Sequence, residues 1–151
     1  MDPHAKLAEL GLQLPPVAPP AAAYLPAVRS GSYVYVSGQV PIADGQVLAT
    51  GKVGAEVSAE RAKELARHCA LNALAAVDAL VGLANVVKVV KVVGFVASAE
   101  GFTGQPQVIN GASELFGAVF GEAGQHARSA VGVFELPLGV PVEVEAIFEV
   151  G

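Results

Sequence analysis

A chain of 151 residues has the size of one ordinary domain, which can bury a core without disulfides or metal. Nine Lys and Arg stand against fourteen Asp and Glu, giving a net charge of −5, and the scattered basic residues argue against a nucleic-acid partner. The single cysteine, Cys69, excludes an internal disulfide, and the N-terminus lacks the basic start and apolar run of a secretory signal. We therefore expect a cytoplasmic protein.

The high apolar content, 53% of the residues, requires a membrane span to be considered. The richest stretch, residues 70–97, is interrupted by Asp78, Lys88 and other polar residues, so no run reaches the roughly 18 apolar residues that a span needs. We expect no membrane partner. Because only 15% of the residues are charged, we expect subunit contacts to cover part of the surface.

The N-terminal region predicts a short helix followed by an arm. Residues 1–11 form at most a short amphipathic helix that ends at Gly11. Four prolines in residues 14–20 remove backbone donors and favour an extended course over the surface. We therefore divide the chain into residues 1–23, the short helix and Pro-rich arm, and residues 24–151, a single domain.

The next segment predicts strands. The pattern turns to strand from Val28, and residues 33–37 are β-branched and aromatic before Gly38 and Pro41 end the run. Asp44 and Gly45 predict a hairpin turn, and residues 46–50 are the expected returning strand.

Two helices and a long strand follow. Apolar residues at spacings of three and four predict a helix over residues 58–80, with Ser58 as its N-cap and Gly82 as its stop. The valine-rich residues 85–98 predict a strand. A second helix is predicted over residues 106–120.

Two final strands are predicted over residues 129–135 and 142–150, the second with apolar residues at every other position. The element order is ββ(β)αβαββ, and the economical architecture is an α+β fold in which one sheet carries both helices on one face. The other face would be apolar and uncovered. This predicts a homo-oligomer assembled sheet to sheet.

Arg128 is the first candidate for chemistry, because it precedes a strand in a region without other basic residues. Its guanidinium matches a carboxylate with two parallel hydrogen bonds and stays charged at working pH. An exposed arginine that pairs with a nearby glutamate is the alternative, and the residues alone leave both open.

Glu143 and Glu145 share a strand face, where a carboxylate could orient or deprotonate water. The alternative is a solvated face. If the last two strands form a hairpin, Glu143 lies near Glu135 and on the order of 20 Å from Arg128. The two residues would then share a site only across a subunit interface.

Five further residues are candidates for ligand contacts, each with a structural alternative. Asn110 is a poor helix former whose amide could point into a site, and Tyr24 could stack on a ligand or simply pack. Ser37 and Gly38 could offer a backbone N–H to an anion or merely form a turn. His126 lies two residues before Arg128. Cys69, on the apolar helix face, is expected to be a buried thiol.

The order of these motifs resembles the RidA (YjgF) family of reactive-imine deaminases, also labelled endoribonuclease L-PSP. The similar elements run in family order over most of the chain: Tyr24, residues 36–41, Asn110, residues 127–129, residues 136–137 and residues 142–147.

The resemblance implies a chorismate-mutase-like fold and a homotrimer with ligand sites in the clefts between subunits. The implied reaction is hydrolysis of 2-aminoacrylate or its imine tautomer to a 2-oxo acid and ammonia, without metal or organic cofactor. Arg128 would hold the substrate carboxylate and Glu143 would place or activate water. The residues implied to line the cleft are Tyr24, Ser37, Gly38 and Asn110, and we add His126.

Three departures from the family pattern predict a divergent branch. Ala130 stands where the family often has Cys, the Pro-rich extension is longer, and the stretch from Asn110 to Arg128 is one residue longer. Two other functions therefore stay open. The chain could be a non-catalytic trimer that binds 2-oxo acids, or a ribonuclease or translation inhibitor, against which its negative charge argues.

Overall fold

The computed structural model describes residues 2–20 and 22–151. Its main elements are seven strands and three α-helices, which confirms the predicted α+β class. Within the described residues, no helix has both the length and the apolar character needed to cross a membrane. The elements are α1 (Pro3–Glu9), β1 (Ala27–Ser30), β2 (Tyr33–Gln39), β3 (Ile42–Ala43), β4 (Gln46–Val47), α2 (Ala59–Val81), β5 (Val86–Ala97), α3 (Gln105–Phe120), β6 (Ala127–Val133) and β7 (Val142–Val150).

Five strands form one mixed sheet in the order β1-β2-β7-β5-β6. Only β5 and β6 are parallel, because α3 carries the chain back across the sheet between them. The expected hairpin of the last two strands is wrong: β6 and β7 run in opposite directions, but β5 lies between them. Residues 134–141 are long enough to pass the end of β5, so adjacency in sequence does not make the strands neighbours.

The two long helices pack on the same face of the sheet, as predicted. The Ser58 hydroxyl caps α2 by accepting from the Arg61 amide at 3.1 Å, and the helix ends at Gly82. α3 lies very close to α2 at Gly111, where an added β-carbon would collide with the carbonyl oxygen of Lys63. This close approach fixes the position of α3 over β5 and β6.

The opposite face of the sheet has no helix over it. β7 alternates between core residues and residues on this face, in the predicted period of two. Large apolar side chains on neighbouring strands are 42% to 48% exposed there: Tyr33, Val131, Tyr35 and Val28. Assembly through this face stays a prediction.

The N-terminal arm and the small hairpin border the sheet. Residues 12–20 follow α1 without regular structure, as the prolines predict. Asp44 and Gly45 form the hairpin turn with positive φ values of 53° and 74°. The returning strand is shorter than the predicted residues 46–50, because the ladder pairs only Ile42–Ala43 with Gln46–Val47. Pro41, which precedes this ladder, has no N–H to extend it.

Candidate functional site

Arg128 ends a row of paired residues that crosses the whole sheet. Ala27, Val36, Ala146 and Val92 lie side by side on successive strands, and all four are buried. Arg128 pairs with Val92 on the edge strand β6. Directly paired residues point to the same face, so its guanidinium extends toward α3.

Three hydrogen bonds hold the Arg128 guanidinium against α3. Its Nη1 donates to Asn110 Oδ1 at 2.8 Å and to Ser113 Oγ at 3.2 Å, while Nη2 donates to the Pro106 carbonyl at 3.4 Å. Among the described residues, no carboxylate pairs with Arg128 and its Nε has no partner. Donors are therefore left for a ligand carboxylate.

Ser113 contacts both Arg128 and His126, so the three side chains form one hydrogen-bonded chain. His126 Nδ1 lies 2.6 Å from the Gly124 carbonyl, so it carries the ring proton, and in the neutral ring Nε2 accepts from the Ser113 hydroxyl at 2.9 Å. Both His126 nitrogens are thus used within the chain. The predicted ligand contact by His126 stays a prediction, and its contact with Ser113 joins it to the residues around Arg128.

Ser113 was missed by sequence reasoning. Its signal is the spacing from Asn110, because residues three apart lie on the same face of a helix. We call Asn110, Ser113, His126 and Arg128 together the arginine cluster.

Three other predicted residues lie together in a separate cavity of about 270 Å³. Tyr24, Gly38 and Glu143 line it, together with residues of the Pro-rich arm and of the turn that follows β6. We call this cavity the glutamate cleft. Gly38 permits the arrangement, because an added β-carbon would stand 2.5 Å from Oε2 of Glu143.

The surroundings of Glu143 in the glutamate cleft favour the protonated form of its carboxyl group. Burial raises the pKa of Glu143, and the neighbouring charge of Glu145 raises it further. Burial and the charge of Glu143 also raise the pKa of the Cys69 thiol, which is fully enclosed in the core. Cys69 is therefore a protonated structural thiol, as predicted, and not a nucleophile.

Ser37 holds the loop that carries Tyr24 and does not line the glutamate cleft. Its hydroxyl donates to the Leu25 carbonyl at 2.5 Å, and its amide donates to the Pro26 carbonyl at 2.9 Å. The Ser37 amide is thus engaged within the chain, and an anion contact by the backbone of Ser37 or Gly38 stays a prediction. The two bonds of Ser37 fix the segment just after Tyr24 against β2.

The arginine cluster and the glutamate cleft do not meet within one chain. Glu143 pairs with Phe95, three residues along β5 from the Val92 that pairs with Arg128, and two strand spacings separate the flanking strands. This places the two α-carbons on the order of 14 Å apart, with their side chains on opposite faces of the sheet. The expected 20 Å rested on the wrong hairpin.

The fold and these two groups of residues define a class: an α+β protein with one mixed sheet, two helices on one face, and candidate ligand-binding residues at the edge and the end of the sheet. The sequence profile described as Endoribonuclease L-PSP matches residues 16–150. The chain therefore belongs to this family, and the resemblance to RidA (YjgF) proteins is confirmed.

Individual relatives agree with this assignment. Protein TCP17 of Trypanosoma cruzi is 45% identical over 147 residues, which span 96% of this chain and 92% of that protein. The crystal structure of Atu1372 from Agrobacterium tumefaciens, of unknown function, has a TM-score of 0.90 and 43% identity, covering 98% and 91% of the two chains. The structure of E. coli TdcF with bound serine has a TM-score of 0.65 and 25% identity, covering 91% and 94%.

Proposed function

We propose that this protein is a hydrolytic deaminase of reactive enamine and imine acids of the 2-aminoacrylate type, and that it acts as a homotrimer with its sites between subunits. The observation that carries the proposal is the guanidinium of Arg128, which α3 holds at the sheet edge with its Nε still unpaired among the described residues. Such an arginine is suited to orient a small carboxylate.

The chemistry needs little beyond orientation, because an imine carbon is already electrophilic. Arg128 binds the carboxylate of the substrate. A water molecule adds its oxygen to the imine carbon while Glu143 accepts the proton that the water loses. Glu143 returns this proton to the nitrogen, which gives the carbinolamine. The carbinolamine hydroxyl then passes its proton to the amino group as the C–N bond breaks, which releases ammonia and leaves the 2-oxo acid. A carboxylate with a raised pKa is a stronger base for this step.

Assembly supplies the contact between the two groups of residues. Arg128 and Glu143 point to opposite faces of one sheet, so one substrate reaches both only if the arginine cluster of one subunit adjoins the glutamate cleft of the next. The uncovered face carries the exposed side chains of Tyr33, Tyr35 and Val131 beside charged residues such as Glu149, and we propose this mixed surface for that assembly. The serine bound to TdcF supports a small amino acid as the kind of ligand.

The test is release of ammonia and 2-oxo acid from 2-aminoacrylate that is generated in situ. We expect the wild-type protein to accelerate this release and Arg128→Ala to lose the acceleration. Arg61→Ala is the matched control. Arg61 lies in α2, and among the described residues its side chain pairs only with Glu64. Equal rates for wild type and Arg128→Ala would contradict the proposal.

A binding protein for 2-oxo acids that does not turn over substrate is the second candidate, and Ala130 in the place of the family's frequent Cys favours it. Calorimetry distinguishes the two. Binding of pyruvate that is lost in Arg128→Ala, without ammonia release by the wild type, would support the second candidate. We do not propose a ribonuclease, since the net charge of −5 opposes RNA binding.

A further inference from the structure

The Pro-rich arm forms one wall of the glutamate cleft. Ala18, Pro19, Pro20 and Ala22 line the cleft together with Gly38 and Glu143. The two prolines have no N–H, and neither they nor the alanines carry a polar side chain. The arm therefore presents mainly hydrocarbon to a ligand.

The described residues of the arm are anchored on both sides. On its N-terminal side Leu7 is buried in the core, and His4 Nε2 contacts Asp78 Oδ1 at 2.9 Å. On its C-terminal side the two hydrogen bonds of Ser37 hold Leu25 and Pro26. Prolines between the anchors further limit the conformations of the arm.

The charge in the cleft determines which end of a ligand enters it. Glu143 is the one ionisable carboxyl group among the described lining residues, and it repels a ligand carboxylate. The carboxylate is attracted to Arg128 of the neighbouring subunit, which leaves the side chain of the ligand to lie against the arm. Pro137, Leu138 and Ile42 add further apolar surface there.

The size of the cleft exceeds what a three-carbon acid needs. The cleft within one chain holds about 270 Å³, against the roughly 10–15 Å³ that one water molecule needs. A largely apolar cavity of this size binds a hydrocarbon side chain better than it binds a methylene group, because each buried methylene contributes about 0.8 kcal/mol or more, about fourfold or more in affinity.

We propose that the Pro-rich arm makes this protein selective for 2-imino and 2-oxo acids with a branched apolar side chain, in preference to 2-aminoacrylate and pyruvate. This inference rests on the proposed function, because it takes the site to bind a 2-imino or 2-oxo acid. Ala18 and Ala22 are the specificity-determining positions, since larger residues there would fill the cleft from the arm.

Calorimetry with 4-methyl-2-oxopentanoate and with pyruvate tests the selectivity without requiring turnover. We expect the wild-type protein to bind the branched acid at least about tenfold more tightly. Ala18→Phe and Ala22→Phe should each bring the two affinities close together. Ala23→Phe is the matched control and should keep the preference, because Ala23 does not line the cleft.

Equal affinities in the wild type, no binding of either acid, or an unchanged preference in both cleft variants would overturn the inference. Ammonia release from the imine of leucine and from 2-aminoacrylate, each generated in situ, is measured separately. Turnover without side-chain preference would overturn the selectivity and leave the proposed deaminase standing. Preferential binding without turnover would support the selectivity and contradict the deaminase.

Discussion

Glu143 occupies the space that a side chain on Gly38 would need, since its Oε2 stands 2.5 Å from the position of an ideal β-carbon there. The atom in the way is the end of a flexible side chain, so Gly38→Ala displaces the carboxylate and leaves the fold in place. We expect kcat to fall about 100-fold, the lower range for losing a general base, with little change in the unfolding midpoint.

A double-mutant cycle shows whether Gly38→Ala acts through the carboxylate. In a Glu143→Gln background the alanine should cause no further loss of kcat, because the group that it displaces is already inactive. Additive losses in the double variant would show that Gly38 acts on the reaction in another way.

The pH dependence of activity should follow the raised pKa of Glu143. Because burial and Glu145 raise that pKa, the acid limb of kcat/KM should lie above the usual range of glutamate, about 4.3. Glu145→Gln removes the second cause, so the limb should move to lower pH. A limb that stays in place in Glu145→Gln would contradict this electrostatic account.

The raised pKa of Glu143 should also affect the stability of the fold. The folded state prefers the protonated form of Glu143, so this preference stabilises the fold at low pH and is lost as the pH rises through the folded pKa. Glu143→Gln should therefore unfold at a higher temperature than wild type at pH 7. The difference should shrink as the pH falls toward 4, and thermal melts at matched protein concentration measure it.

Two glycines of α3 should respond to alanine in opposite directions. Gly111→Ala collides with the Lys63 backbone and should lower the free energy of unfolding by about 1–3 kcal/mol. Gly117→Ala meets no atom within 4 Å and should raise it by about 1 kcal/mol, the difference in helix propensity. Denaturant titrations compare them, and shifts of the same sign would contradict the helix packing described above.

Ser113 should affect substrate binding through Arg128. Ser113→Ala removes one of the three bonds that hold the guanidinium and should raise KM about tenfold, while kcat changes little. Ser113→Thr keeps the hydroxyl and should restore KM. A loss confined to kcat, or no rescue by threonine, would mean that Ser113 does not act by positioning Arg128.

Local features of the fold could be predicted from the sequence because neighbouring residues determine them. The Ser58 cap, the end of α2 at Gly82 and the alternation along β7 each depend on a few consecutive residues. The place of β6 could not be predicted in this way, because it depends on α3 returning the chain to the far side of β5.

The charged residues of the candidate site could be predicted from the sequence, but the residues that contact them could not. Arg128 stands out as the one charged residue of β6, and Glu143 is one of three glutamates at alternating positions of β7. The contact of Ser113 with His126 joins residues thirteen positions apart, and only the packing of α3 on β6 brings them together. The arm lines the cleft for a similar reason, since no local pattern relates residues 18–22 to Glu143.

We propose that Arg128 of one subunit and Glu143 of another serve the same substrate, and mixing two inactive variants tests this most directly. Arg128→Ala and Glu143→Gln are unfolded together in equal amounts and refolded, so that subunits assemble at random. We predict that deaminase activity returns to about a quarter of the wild-type value, because one site in four then receives both intact residues. If the mixture remained as inactive as either variant alone, the two residues would not share a site between subunits.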